Sequence, residues 1–123
     1  MAGSPISILL IEDNPIHARL LQGLLSSSFA VERVDHLAAG LERLAAGNID
    51  VVLLDLVLPD SQELVTFERV KEVVPQVPVL VLTGLDDEEL AEAAVAAGAR
   101  DYLVKTQIDG ERLAQAIRAA LAS

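Results

Sequence analysis

Five polar residues stand where apolar runs end. Glu12 and Asp13 follow Ile6–Ile11, Asp55 follows Val51–Leu54, Thr83 follows Val79–Leu82, and Lys105 follows Tyr102–Val104. Three carboxylates, an ammonium and a hydroxyl form a set with a definite chemistry. Carboxylates hold a hard divalent cation such as Mg²⁺ through oxygen. A carboxylate held beside such a cation is also a competent nucleophile toward phosphorus. Asp55 is the strongest candidate for that role, because a lone carboxylate ending a buried run needs compensation from neighbouring charge. Thr83, with the sterically open Gly84 beside it, can donate to a phosphoryl oxygen, and Lys105 offers a compact cation for phosphate or carboxylate. Taken singly, each of these residues reads as a solvated loop acid, a structural threonine or a surface lysine. Four such strand ends in chain order change that reading.

For these groups to meet, the apolar runs must be neighbouring parallel strands sharing one edge, the place where open α/β sheets build ligand sites. The rest of the chain supplies what such a sheet requires. Short apolar runs alternate five times with stretches of helical period. Asn14-Pro15 is an N-cap followed by proline at the first helical position, and Ile16, Leu20, Leu21, Leu24 and Leu25 recur at helical spacing behind it. A weak strand spans Phe29 to Val34, and a helix over about Leu37 to Ala46 ends at Gly47-Asn48. A third helix carries Leu64, Phe67, Val70 and Val74 inward and stops at Pro75. Asp86-Asp87-Glu88-Glu89 favours a helix start by capping and by the macrodipole, and Gly98 ends that helix. Asp109 opens the last helix, with Leu113, Ile117 and Leu121 on one face. Parallel strands need crossover helices, almost always right-handed. The expected fold is therefore α/β, a doubly wound five-stranded parallel sheet. Periodicity does not set the strand order, but a 2-1-3-4-5 order would bring the first and third runs together at the switch point.

Composition agrees and excludes alternatives. The chain has 123 residues, enough for one domain with a real core. Residues 6–122 are read as that domain, and residues 1–5 as an unstructured lead-in or cloning remnant. Hydrophobic residues make up 52% of the chain but aromatics only 2%. Leu, Val, Ile and Ala must therefore build the core, as in a parallel sheet covered by helices. A net charge of −10 without clustered Lys or Arg argues against nucleic acid as a partner. Without cysteine there is no disulfide and no thiolate chemistry. No apolar run approaches the roughly 18 residues of a membrane helix, and the first residues lack the basic start and apolar core of a signal peptide, so a cytoplasmic location is expected. His17 and His36 fall at helix starts among polar neighbours, where solvent-exposed side chains without a chemical role are expected.

From Ile6 to Leu121 the chain resembles the receiver domain of two-component response regulators. The family pattern is an acidic pair after strand one, an acceptor aspartate after strand three, Thr or Ser after strand four and Lys after strand five. Here these are Glu12-Asp13, Asp55, Thr83 and Lys105, and Asp55-Leu56-Val57-Leu58-Pro59-Asp60 matches the loop after the acceptor. The resemblance implies the flavodoxin-like 2-1-3-4-5 sheet. It also implies that Asp55 accepts a phosphoryl group from a histidine kinase or a histidine phosphotransfer protein. Mg²⁺ or Mn²⁺ would be held by Asp13, Asp55 and the Val57 carbonyl, with Glu12 mainly through water. Thr83 and Lys105 would then engage the phosphoryl group, Tyr102 would turn inward behind Thr83, and a protein partner would read the face of helix four, strand five and helix five.

Three departures qualify this. Thr106 follows Lys105 where many members have a cis proline. A non-proline cis bond costs about 2.5–4 kcal/mol, so the loop is expected to be strained or rebuilt. Glu63 replaces a frequent glycine, and Asp60 three residues earlier suggests a capping-box exchange and a loop less dependent on glycine. Val57 and Leu85, two residues beyond Asp55 and Thr83, are apolar at positions that influence the hydrolytic water, which implies slow autodephosphorylation. Helix-four dimers paired by charge are disfavoured, because no Lys or Arg lies between Glu88 and Ala99. Two other readings remain. A pseudo-receiver binding partners without phosphorylation would normally have lost one of the acidic, acceptor or lysine residues. A haloacid-dehalogenase-type phosphatase needs a second Asp where Val57 stands, so a turnover enzyme is not expected.

Overall fold

The computed structural model describes residues 5–122, except the side chain of Leu85. The first four residues of the expected lead-in lie outside the described residues, as does the side-chain basis of the Leu85 expectation. The main sheet has five parallel strands: β1 Ser7–Ile11, β2 Ala30–Val34, β3 Val51–Asp55, β4 Val79–Thr83 and β5 Asp101–Val104. Their spatial order is β2-β1-β3-β4-β5, the expected 2-1-3-4-5. Helices α1 Pro15–Leu25, α2 Leu37–Ala45, α3 Leu64–Val73, α4 Glu88–Ala96 and α5 Gly110–Ala122 connect the strands or close the chain. A two-rung antiparallel ribbon, Val57–Leu58 with Ser61–Gln62, interrupts the connection from β3 to α3.

Alternate residues of each central strand point to opposite faces. On one face Leu9, Ile11, Val52, Leu54, Val79 and Val81 pack with Leu44 of α2, Phe67 and Val70 of α3 and Ala91 and Ala94 of α4. On the other, Ile8, Leu10, Val51, Leu53, Leu80 and Leu82 pack with Leu21 and Leu25 of α1 and Leu113 and Ile117 of α5. Both faces being covered, the central strands read as unbroken apolar runs.

Three helix expectations need correction. Only Ala18, Leu21 and Leu25 of α1 are buried; Ile16 and Leu20 are 76% and 51% exposed, because the apolar stripe of α1 is wider than its contact with the sheet. Leu121 is 38% exposed, and the small Ala120 takes the inward position where α5 crosses the sheet. The acidic run before α4 makes no side-chain cap. A short 3₁₀ turn, Leu85–Asp87, precedes the helix, so the acids act on α4 through its dipole alone.

Candidate functional site

The strand pairing brings the polar ends together. Ile11 of β1 lies beside Leu54 of β3, so one further step sets Glu12 beside Asp55. Thr83 ends β4, and Lys105 follows β5 on the far side. Immediately after Asp13 the chain turns. The Asn14 side chain accepts hydrogen bonds from the amides of Ile16 (2.9 Å) and His17 (3.1 Å), with Pro15 at the first helical position, as expected. That turn leaves Asp13 exposed at the mouth while Glu12 is sealed at 0% exposure.

Lys105 is the centre of the charge balance. Its Nζ donates to Glu12 Oε1 at 2.9 Å and to Asp55 Oδ2 at 3.0 Å. Burial, then the charge of Asp55, push the Glu12 carboxyl up to about 7 against the opposing pull of Lys105. Burial opposes the charged form of Lys105, but the two carboxylates overcome it and raise its pKa. The peptide bond to Thr106 is trans, as are all described peptide bonds. The loop is thus rebuilt, with Gln107 N–H donating to the Val104 carbonyl, and Lys105 still reaches both acids.

Thr83 is buried, and its hydroxyl donates to the Gly84 carbonyl at 3.0 Å. Tyr102, half-buried, packs its ring against the core on the face of α2, α3 and α4. The pKa of its phenol is raised first by desolvation and then by Glu88, Glu92 and Asp101. His17 and His36 are half-buried rather than free in solvent. His36 Nδ1 lies 2.7 Å from Asp35 Oδ1, which raises the imidazole pKa. His17 Nδ1 is buried without a hydrogen-bond partner.

The loop after Asp55 departs most from expectation. The Val57 N–H donates to Asp55 Oδ1 at 2.9 Å. Asp60 does not exchange caps with Glu63. Its two carboxylate oxygens instead accept from Leu37 N (2.7 Å) and Ala38 N (2.9 Å), capping α2. Partial desolvation opposes the charge of Asp60, yet those amides hold its carboxyl below the ordinary aspartate range. The capping box fails because the ribbon turns Asp60 away from α3 and toward the neighbouring helix. Glu63 makes no side-chain cap and sits at φ 65°, ψ −148°. That region strongly favours glycine. The loop therefore keeps the glycine conformation without the glycine. Replacing Glu63 by glycine is expected to stabilise the fold by about 1 kcal/mol, the relief of strain exceeding the added freedom of the unfolded chain. Urea unfolding measures this, and a loss of stability would contradict the strain.

Glu12, Asp13 and Asp55 each offer a carboxylate oxygen within 4.8 Å of the others. Three hard oxygen donors, partly neutralised by one lysine, fit Mg²⁺ or Mn²⁺ and do not resemble a site for softer metals. Among the described residues no helix is long and apolar enough to cross a membrane.

Comparison with known proteins agrees with this geometry. The family model described as "Response regulator receiver domain" matches residues 8–118. The transcriptional regulatory protein ZraR of Klebsiella oxytoca is 30% identical over 123 residues, covering 99% of this chain and 28% of the relative. BasR of Escherichia coli (strain K12), also a transcriptional regulatory protein, is 36% identical over 104 residues, covering 81% of this chain and 46% of BasR. The chain thus spans less than half the length of these relatives. A response regulator receiver domain protein from Clostridium thermocellum superposes with a TM-score of 0.86 at 28% identity, covering 95% of this chain and 94% of the other. The signal receiver domain of an HD domain-containing protein from Pseudomonas fluorescens gives 0.87 at 27%, covering 99% and 90%. With the family model spanning most of the described residues and the strand ends converging as they do, this chain belongs to the response regulator receiver domain family.

Proposed function

We propose that the chain is a phosphorylation-operated signalling switch with Asp55 as the acceptor, supplied by a histidine kinase or a histidine phosphotransfer protein. The observation that carries this is the buried Asp55 carboxylate, held by Val57 N–H on one oxygen and Lys105 Nζ on the other, beside Glu12 and Asp13. Asp13, Asp55 and the Val57 carbonyl would hold Mg²⁺ or Mn²⁺, with Glu12 acting mainly through water. When bound, the cation supplies positive charge against the phosphoryl oxygens.

A carboxylate oxygen of Asp55 forms the new bond to phosphorus as the phosphorus–nitrogen bond of the donor phosphohistidine breaks. The departing imidazole keeps the electron pair and takes a proton. Positioning and electrostatics dominate such a step. Lys105 shifts an N–H from the carboxylates to a phosphoryl oxygen, and Thr83 exchanges its bond to Gly84 for one to the same group. Space vacated by Thr83 accepts Tyr102, already half-buried, which alters the face of α4, β5 and α5. A downstream protein reads that change. The apolar Val57 slows loss of the group to water.

Ile16 and Leu20 support a protein donor. They lie on the first turns of α1, immediately beyond Asp13, and with Pro15 and Arg19 line a concavity of about 550 Å³. Exposed apolar side chains at the mouth of a charged site suit a docked helix better than a small phosphodonor. Label is followed from a phosphorylated phosphotransfer protein and, separately, from acetyl phosphate. Ile16→Asp/Leu20→Glu is expected to slow the first transfer about tenfold or more and leave the second unchanged. Equal slowing of both would overturn the docking role, and absence of transfer from either donor to the native chain would overturn the switch.

A further inference from the structure

Thr66 is a polar residue in the buried stripe of α3, beside Phe67 and one turn before Val70, with 0% exposure. It has no part in the chemistry above. Its hydroxyl donates to the Leu56 carbonyl at 3.2 Å and lies 2.8 Å from the Ser61 hydroxyl. Thr66 has one hydroxyl proton, so the chain of bonds runs from Ser61 O–H to Thr66 and from Thr66 O–H to Leu56. The second lone pair of the Leu56 carbonyl is taken by Glu63 N–H at 2.8 Å.

The consequence lies on the other side of that peptide. In a trans peptide the carbonyl and the next N–H point in opposite directions from one rigid plane. The N–H opposite the Leu56 carbonyl belongs to Val57, and it donates to Asp55 Oδ1 at 2.9 Å. Anchoring the carbonyl therefore aims the amide. On this basis, and resting on the reading of Asp55 as acceptor, we infer that Thr66 is a positioning residue for Asp55, acting through the Leu56–Val57 peptide plane. Lys105 holds Oδ2 and the plane holds Oδ1, so both torsions that would turn the carboxylate out of line are opposed. Misplacement of a reacting group by a fraction of an ångström slows in-line transfer substantially.

The test compares Thr66→Val, Thr66→Ser and Ser61→Ala by two readouts. One is the Val57 amide by NMR, its chemical shift and its exchange with solvent, in EDTA. The other is the rate of phosphoryl uptake from acetyl phosphate at saturating Mg²⁺. Thr66→Val is expected to move the Val57 amide upfield, speed its exchange and slow uptake about tenfold. Thr66→Ser keeps the hydroxyl and is expected to retain the native amide signal and a rate within about twofold. Ser61→Ala leaves the bond to Leu56 in place and is expected to do the same whatever it does to stability. Thr66→Ala takes the place of valine if valine prevents folding. An unmoved Val57 amide in the variants lacking the hydroxyl would overturn the inference, as would a serine variant as slow as valine. Because the amide readout needs no phosphorylation, it answers even if the native chain takes up no phosphoryl group.

Discussion

In the Lys105→Met protein, with metal withheld by EDTA at pH 8, the free energy of unfolding falls by about 3 kcal/mol, near the lower bound for leaving buried charge unpaired. Methionine matches the stem of lysine and keeps its packing, so the loss reports charge. Lys105 Nζ is the shared donor to Glu12, at 0% exposure, and to Asp55, at 8%. The size of the loss depends on pH with a definite sign. Glu12 is raised to about 7 in the folded protein from 4.5, so its contribution is fully present below its unfolded value and is lost as pH rises through about 7. Removing the opposing lysine raises it further. The gap between native and variant is therefore wider at pH 8 than at pH 5. Millimolar Mg²⁺ narrows the gap at pH 8, since a cation between the carboxylates replaces the missing charge. Urea unfolding at the two pH values checks all three statements. A gap unchanged by pH and by Mg²⁺ would show that Lys105 acts through packing.

Asp13→Asn has the complementary effect. Asp13 is exposed, and its backbone carbonyl rather than its carboxylate receives the bond from Arg33 at 3.2 Å. Its removal is expected to change stability in EDTA by no more than about 0.5 kcal/mol, as at most exposed positions. Mg²⁺ affinity, by contrast, falls about tenfold or more, because one of three charged oxygen donors is lost. Isothermal titration with Mg²⁺ or Mn²⁺ measures it. Lys105 and Asp13 thus separate the two tasks of the site, balancing buried charge and holding the cation. Unaltered Mg²⁺ affinity in Asp13→Asn would remove Asp13 from the metal set.

The strands and the convergence of Glu12, Asp13, Asp55, Thr83 and Lys105 were legible because parallel strands covered on both faces leave unbroken apolar runs with polar ends. Asn14-Pro15 was legible for a local reason, since a cap and its amides lie within three residues. What the sequence concealed depends on elements distant in the chain. Asp60 has the spacing of a cap for α3, but its partners are amides of α2, 23 and 22 residues away. Glu63 stands where the family often has glycine and looked able to cap instead, yet the backbone there keeps the positive φ of a glycine. Ile16 and Leu20 fit a helical period, yet the sheet covers only part of α1. Thr66 did leave a trace, a hydroxyl in an apolar stripe, but its partner Leu56 lies in a loop whose path is set by the ribbon.

The most direct test of the account is intact-mass spectrometry of the native chain and of Asp55→Asn after incubation with acetyl phosphate, in Mg²⁺ and in EDTA. The native chain is expected to gain one phosphoryl group in Mg²⁺ only, and the variant none in either condition. An equal gain by Asp55→Asn would contradict it, because the phosphoryl group would then reside on another residue.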